Sequence, residues 1–153
     1  MFKIKFKVQA KWSAKKALDV SVNGRTHQVF IDDKSPLTIS AAKAFKGDET
    51  KYNPEDLLLS ALSSCHMMSY FYVCAQHGIE PIDYQDEAVG ILELKADGSG
   101  AFTSVVLNPI VTISKVDMID KAVSLHEEAN KLCFIANSCN FPITPQPIVK
   151  AAH

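Results

Sequence analysis

The sequence predicts an α+β fold: a strand-rich N-terminal part, a helix, a β-hairpin, a second helix and an extended tail. Three observations predict it. Apolar residues alternate with polar ones near the N-terminus, an apolar helical run follows Asn53-Pro54-Glu55, and two further strand patterns flank a Gly-rich turn before an amphipathic stripe.

The elements follow in order. Phe2, Ile4, Phe6 and Val8 alternate with Lys3, Lys5, Lys7 and Gln9, which predicts a strand with one basic face. Leu18, Val20 and Val22 repeat the pattern, and Asn23-Gly24 is a hairpin signal because both positions tolerate positive φ. A two-residue loop there pairs Val22 with Arg25. Arg25, His27, Val29 and Ile31 then share the face of Leu18, Val20 and Val22, which aims Arg25, the only arginine of the chain, at the apolar side. Residues 32–51 carry Pro36, Gly47 and many polar side chains, and predict a long connection with a short helical turn around 40–45.

Asn53-Pro54-Glu55 is a helix start: a capping residue, a proline in the first turn and an acid facing the positive end of the dipole. A helical pattern then runs to His77, with Gly78 as the C-cap. Ser63-Ser64 interrupts it. The pattern allows one helix over about 54–77 or two helices broken at the serines, and the broken form is preferred because it puts Cys65 in a first turn. Residues 84–95 and 101–113 predict two strands joined at Asp97-Gly98-Ser99-Gly100, with Pro109 marking a bulge or an edge. Asp117 to Cys133 is an amphipathic helix whose stripe is Ile119, Ala122, Val123, His126, Ala129 and Cys133. Pro142, Pro145 and Pro147 make the tail extended, ending in a short edge strand at Ile148-Val149.

At 153 residues, 47% hydrophobic and 22% charged, the composition is that of one soluble globular domain, residues 1–153. A net charge of −1 argues against nucleic-acid or membrane-surface partners, which require a basic field. No apolar run approaches a bilayer span, and the lysine-interrupted N-terminus lacks the continuous apolar core of a signal peptide, so the expected location is the cytoplasm.

The chemistry rests on the cysteines. Cys65, Cys74, Cys133 and Cys139 are expected to be reduced at rest in such a compartment, and their spacing fits no common structural zinc site. Only a thiolate attacks, and an ordinary thiol, with a pKa of about 8.5, is mostly protonated at neutral pH. A helix N-terminus and an arginine would both favour the thiolate of Cys65. Against this stands the commoner role of a free cysteine, a small buried hydrophobe. Glu55 is ten residues from Cys65, about 15 Å along one straight helix, so it reaches the cysteine's surroundings only across a break or from another subunit. Cys133 ends the second helix on its inward stripe and could pair reversibly with another cysteine within about 7 Å. Cys74 and Cys139 remain alternative partners. His66 adjoins Cys65 but points elsewhere, and His126 lies two turns before Cys133 on the same face. Met67, Met68 and Phe71 could line an apolar pocket beside Cys65. No nucleophile elbow, Walker loop or dinucleotide glycine pattern is present.

"NPEDLLLSALSSC" at 53–65, a helix ending at Gly78-Ile79 and "EEANKLCFIANS" at 127–138 together resemble the OsmC/Ohr family, named for osmotic induction and organic hydroperoxide resistance. The order of elements carries the resemblance over nearly the whole chain. It implies an OsmC-like fold of antiparallel sheets with two main helices, assembled as an intertwined homodimer. It further implies a thiol peroxidase with no metal or flavin, an organic hydroperoxide substrate and an external dithiol reductant. Carried over by position, Cys65 is the peroxidatic cysteine, Cys133 the resolving cysteine, and Glu55 the acid that orients an arginine, for which Arg25 is the candidate. Many members have proline after the second cysteine. This chain has Phe134, which moves it toward the broader OsmC-like branches. Two other readings share the cysteines: a non-catalytic dimer that binds an apolar small molecule, and a Cys-dependent hydrolase that would need no Cys133.

Overall fold

The computed structural model describes residues 1–13 and 25–152. The chain divides into two compact units, Met1–Leu58 and Leu59–His153.

The first unit holds a three-stranded antiparallel sheet, β1 (Gln9–Lys11), β2 (His27–Phe30) and β3 (Leu37–Ile39), in that order. Lys11 opposes Gln28, and Val29 opposes Leu37. The alternating segment Phe2–Val8 is not a strand here. Its apolar side chains lie open to solvent, with Phe2 89% and Phe6 88% exposed, and among the described residues no strand pairs with it. The strand at 18–22 and the Asn23-Gly24 turn lie outside the described residues. Arg25 departs from the expected inward aim: it is exposed, and its Nη1 donates to the carbonyl of Phe45 at 2.9 Å. The connection at 32–51 contains β3, which the polar composition hid, and a 3-10 turn at Lys43–Phe45, where a helical turn was expected.

That turn closes tightly. Lys46 takes a positive φ of 60°, and Gly47 N–H donates back to Ala42 O at 3.1 Å. A Cβ on Gly47 would meet the carbonyl oxygen of Ala41 at 1.6 Å, against backbone that cannot swing aside. Gly47→Ala is therefore expected to cost about 2 kcal/mol or more. Thermal unfolding should register that as a drop of several degrees. An unchanged Tm would show that the loop adapts freely.

α1 spans Pro54–Gln76. Its start follows expectation: Asn53 Oδ1 accepts Asp56 N–H at 2.8 Å, and Asn53 Nδ2 donates to Asp56 Oδ2 at 2.7 Å. Its end does as well. Gly78 adopts φ 66° and Ile79 N–H returns to Cys74 O at 3.0 Å. The break expected at Ser63-Ser64 does not occur. A serine costs a helix interior only about half a kcal/mol, and Ser63 Oγ donates to Asp86 Oδ2 at 2.5 Å instead of capping backbone. Cys65 is thus in mid-helix. Because its interruptions are serines and one histidine rather than charges, α1 is long and apolar enough, by length and composition, to cross a membrane. In this fold it buries Leu62, His66, Tyr70, Val73 and Cys74 instead.

The second unit places two three-stranded sheets with α2. The expected long hairpin is real but divided. β5 (Val89–Leu94) pairs with β6 (Gly100–Leu107) across the turn, where Gly98 has φ 84° and Asp97 Oδ1 accepts Ser99 N–H at 2.9 Å. β4 (Pro81–Asp86) pairs with β7 (Pro109–Ile113). Pro109 opens β7 and is neither an edge nor a bulge. Asn108 marks the change of sheet, its N–H bound to Asp86 Oδ1 at 2.7 Å. The tail supplies β8 (Ile143–Pro145), parallel to β6, and β9 (Ile148–Ala151), parallel to β7. The orders are β4-β7-β9 and β5-β6-β8. α2 (Ile119–Leu132) follows a 3-10 turn at Val116–Met118, with no side-chain cap from Asp117. Its buried residues are Ala122, Leu125, His126 and Ala129, whereas Val123 is exposed. The core gathers Tyr70, Val73 and Cys74 of α1, Ala122, Leu125 and Ala129 of α2, and Val111 and Ile113 of β7.

Candidate functional site

An unbroken α1 decides which side chains share a face with Cys65. Residues three, four and seven positions on lie above it, which are Met68, Ser69 and Tyr72. Leu132 and Phe134, on either side of Cys133 at the end of α2, complete an apolar groove of about 490 Å³ whose lining includes Cys65. Phe134 is 80% exposed and forms its outer wall. The expected pocket shared only Met68 with this groove. Met67 is half-buried elsewhere, and Phe71 meets the Tyr84 ring edge-on with centroids 5.6 Å apart. Tyr72 is also a groove residue.

Cys65 and Cys133 are both free thiols, and the Cys65 side chain lies close enough to act on the Cys133 thiol. Cys65 is partly exposed; Cys133 is buried just past the C-terminus of α2, where φ −70° and ψ 108° turn the chain out of the helix. The following turn folds back so that Ala136 N–H points at Cys133 Sγ, 3.4 Å away. Burial pushes the Cys133 thiol up to about 11. The Cys65 side chain adds to that rise, while the Ala136 and Ile135 N–H groups oppose it. The dipole of α1 does not act on Cys65, which lies three turns from the helix start, since that field fades within the first turn.

The other cysteines sit elsewhere. Cys74 is buried, its thiol raised by burial and eased by a hydrogen bond with Tyr70. Cys139 Sγ donates to Ile135 O at 3.3 Å.

Arg25 and Glu55 both belong to the first unit and are not joined by an ion pair among the described residues. Arg25 is held by Phe45 O, and Glu55 Oε2 is buried without a hydrogen-bond partner among the described residues. Ten residues of continuous helix, about 15 Å of rise, separate Glu55 from Cys65.

Sequence reasoning passed over two features of the second unit. One is the aromatic wall made by Tyr72 and Phe134. Helical spacing from Cys65 would have found Tyr72, but only the end of α2 places Phe134. The other is a buried polar cluster: His66 Nε2 lies 3.0 Å from His126 Nδ1, and the Tyr70 ring stacks on His126 at 3.8 Å. Burial lowers both imidazoles, His126 to about 3, with His66 lowering it further; Asp86 partly opposes the shift at His66.

A model of the OsmC-like protein family matches residues 47–146, well over half of the chain. Solved structures agree in fold. An OsmC-like protein of unknown function from Vibrio cholerae is 29% identical with a TM-score of 0.80, over 95% of this chain and 100% of that one. An organic hydroperoxide resistance protein from Legionella pneumophila is 18% identical with a TM-score of 0.71, covering 97% and 99%. An OsmC-like protein from Mycoplasma pneumoniae is 13% identical with a TM-score of 0.73, covering 99% and 100%. No curated protein sequence matches. Two cysteines brought close together by α1 and α2, within a fold shared over nearly its full length and under a matching family model, lead to one conclusion: the chain belongs to the OsmC-like protein family.

Proposed function

We propose that the protein is a cysteine-based peroxidase that reduces organic hydroperoxides, a cytoplasmic homodimer of single-domain chains. The observation that carries this reading is the closeness of the Cys65 and Cys133 thiols beside an apolar groove. The Cys65 thiolate attacks the distal peroxide oxygen. The O–O bond breaks, the leaving alkoxide takes a proton to become the alcohol, and Cys65 becomes a sulfenic acid. Cys133 then displaces water from Cys65 to give a disulfide, and an external dithiol restores both thiols by exchange. Burial keeps Cys133 protonated, which leaves the first attack to Cys65. The groove favours a substrate with an apolar body over hydrogen peroxide, which gains nothing from such a surface.

Glu55 and Arg25 form the charged part of this reading. The partnerless Oε2 of Glu55 is an acceptor waiting for a donor, and the guanidinium of Arg25 has donors beyond the one given to Phe45. Their pairing, within a subunit or across a dimer, would orient Arg25 to stabilise charge on the leaving oxygen. The exposed alternation of Phe2, Ile4, Phe6 and Val8 suits pairing with a second chain.

The test is intact mass after one equivalent of cumene hydroperoxide, with disulfide mapping. A loss of two hydrogens and a Cys65–Cys133 crosslink is expected. No oxidation, or oxidation spread over all four cysteines, would sink the reading. It would favour the second one, a non-catalytic dimer holding an apolar ligand in the same groove, which the mid-helix placement of Cys65 allows.

A further inference from the structure

Two histidines are fully buried side by side between α1 and α2, and the reaction proposed above uses neither. His66 is 0% and His126 1% exposed. Their rings are nearly coplanar, 17° apart, and one hydrogen bond joins Nε2 of His66 to Nδ1 of His126. The outer nitrogens, His66 Nδ1 and His126 Nε2, are buried without hydrogen-bond partners among the described residues. Whichever ring donates, one outer N–H and one outer lone pair stay unsatisfied.

Such an arrangement is a poor source of stability. Each unpaired buried polar atom is costly, and two apolar residues of similar shape would do at least as well. What the pair supplies is direction. Apolar helix packing tolerates small slides and rotations, whereas a bond between two specific ring nitrogens does not. The pair lies on the same two helices that carry the cysteines. His66 follows Cys65 in the chain, and His126 precedes Cys133 by seven residues, about 10 Å along the same face of α2. A second bond, Tyr70 Oη to Ala122 O at 3.2 Å, lies one turn further from the cysteines on both helices. A disulfide needs its Cα atoms within about 7 Å and its Cβ atoms aimed at each other, so a slide of one ångström between the helices matters.

We propose that the His66–His126 hydrogen bond is the positioning contact that sets the register of α1 against α2 and thereby keeps Cys65 and Cys133 within reach of each other. This rests on the redox-pair reading of the cysteines, but not on the peroxide. The measurement therefore uses diamide, which takes two protons and two electrons from a pair of thiols and leaves a disulfide, whether or not peroxide is a substrate. The Cys65–Cys133 disulfide is then equilibrated with dithiothreitol and its fraction read by peptide mapping. Three variants separate the roles. His66→Leu/His126→Leu removes both polar partners and keeps the bulk. His126→Asn keeps an amide atom at the Nδ1 place, and His126→Gln moves it one carbon further, to the Nε2 place.

Wild type and His126→Asn should agree within about twofold. The double leucine variant and His126→Gln should hold the disulfide about tenfold less well. Asn and Gln variants that behave alike would overturn the proposal, even if the double variant did not fold. A folded double variant with the wild-type equilibrium would overturn it too. No Cys65–Cys133 crosslink in wild type would end both this proposal and the peroxidase reading. A crosslink with diamide but no peroxide consumption would end only the latter.

Discussion

Cys65→Ser is expected to remove hydroperoxide consumption, lowering kcat/KM by on the order of a thousandfold or more, because a serine hydroxyl offers no comparable nucleophile. Cys133→Ser should behave differently. It should consume one equivalent of cumene hydroperoxide and then stop, with a sulfenic acid on Cys65 that dimedone traps, since no thiol remains beside it to form the disulfide. Cys139→Ser should turn over normally, because its sulfur is engaged with Ile135 O. The assay is peroxide loss in the presence of a dithiol. A Cys65→Ser protein that turns over at the original rate would end the mechanism. A Cys133→Ser protein with full multiple turnover would move the resolving role elsewhere.

Acid should destabilise the protein through the buried histidines. In the unfolded chain an imidazole protonates near its ordinary value of 6.5. In the folded chain burial holds His126 down to about 3, and His66 is lowered also, although Asp86 partly opposes that shift. Between those values the unfolded state binds more protons, so stability is complete above about pH 6.5 and declines as pH falls toward 3. At about 1.4 kcal/mol per unit, His126 alone accounts for a loss on the order of 5 kcal/mol. Carboxylates contribute their own acid sensitivity, so the measurement is a comparison. Urea midpoints taken from pH 7 to pH 3.5 should fall much less steeply for His66→Leu/His126→Leu than for wild type. Parallel curves would mean that the pair is protonated in the folded state, or opens before it titrates.

What the amino-acid order determined by itself is local. Asn53 and Pro54 start α1 and Gly78 ends it, because capping and positive φ are properties of a few adjacent residues. The Asp97-Gly98 turn and the helix leading to Cys133 are legible for the same reason, and Cys65 and Cys133 stand out within motifs that run along the chain. Tertiary structure decided the rest. Whether α1 breaks at Ser63-Ser64 depended on Asp86, 23 residues away, which offers Ser63 a better partner than backbone. The split of the hairpin into two sheets at Asn108 needed β8 and β9 from the tail as parallel neighbours. The alternating segment Phe2–Val8 shows the converse, for a strand pattern forms a strand only where an edge is present to pair with it. The groove combines a helix face, readable by spacing, with Leu132 and Phe134 from the far end of α2. The histidine pair joins residues 60 apart in the chain. Spacing along one element says which side chains share a face; which faces meet, and at what register, is set by packing between elements distant in sequence.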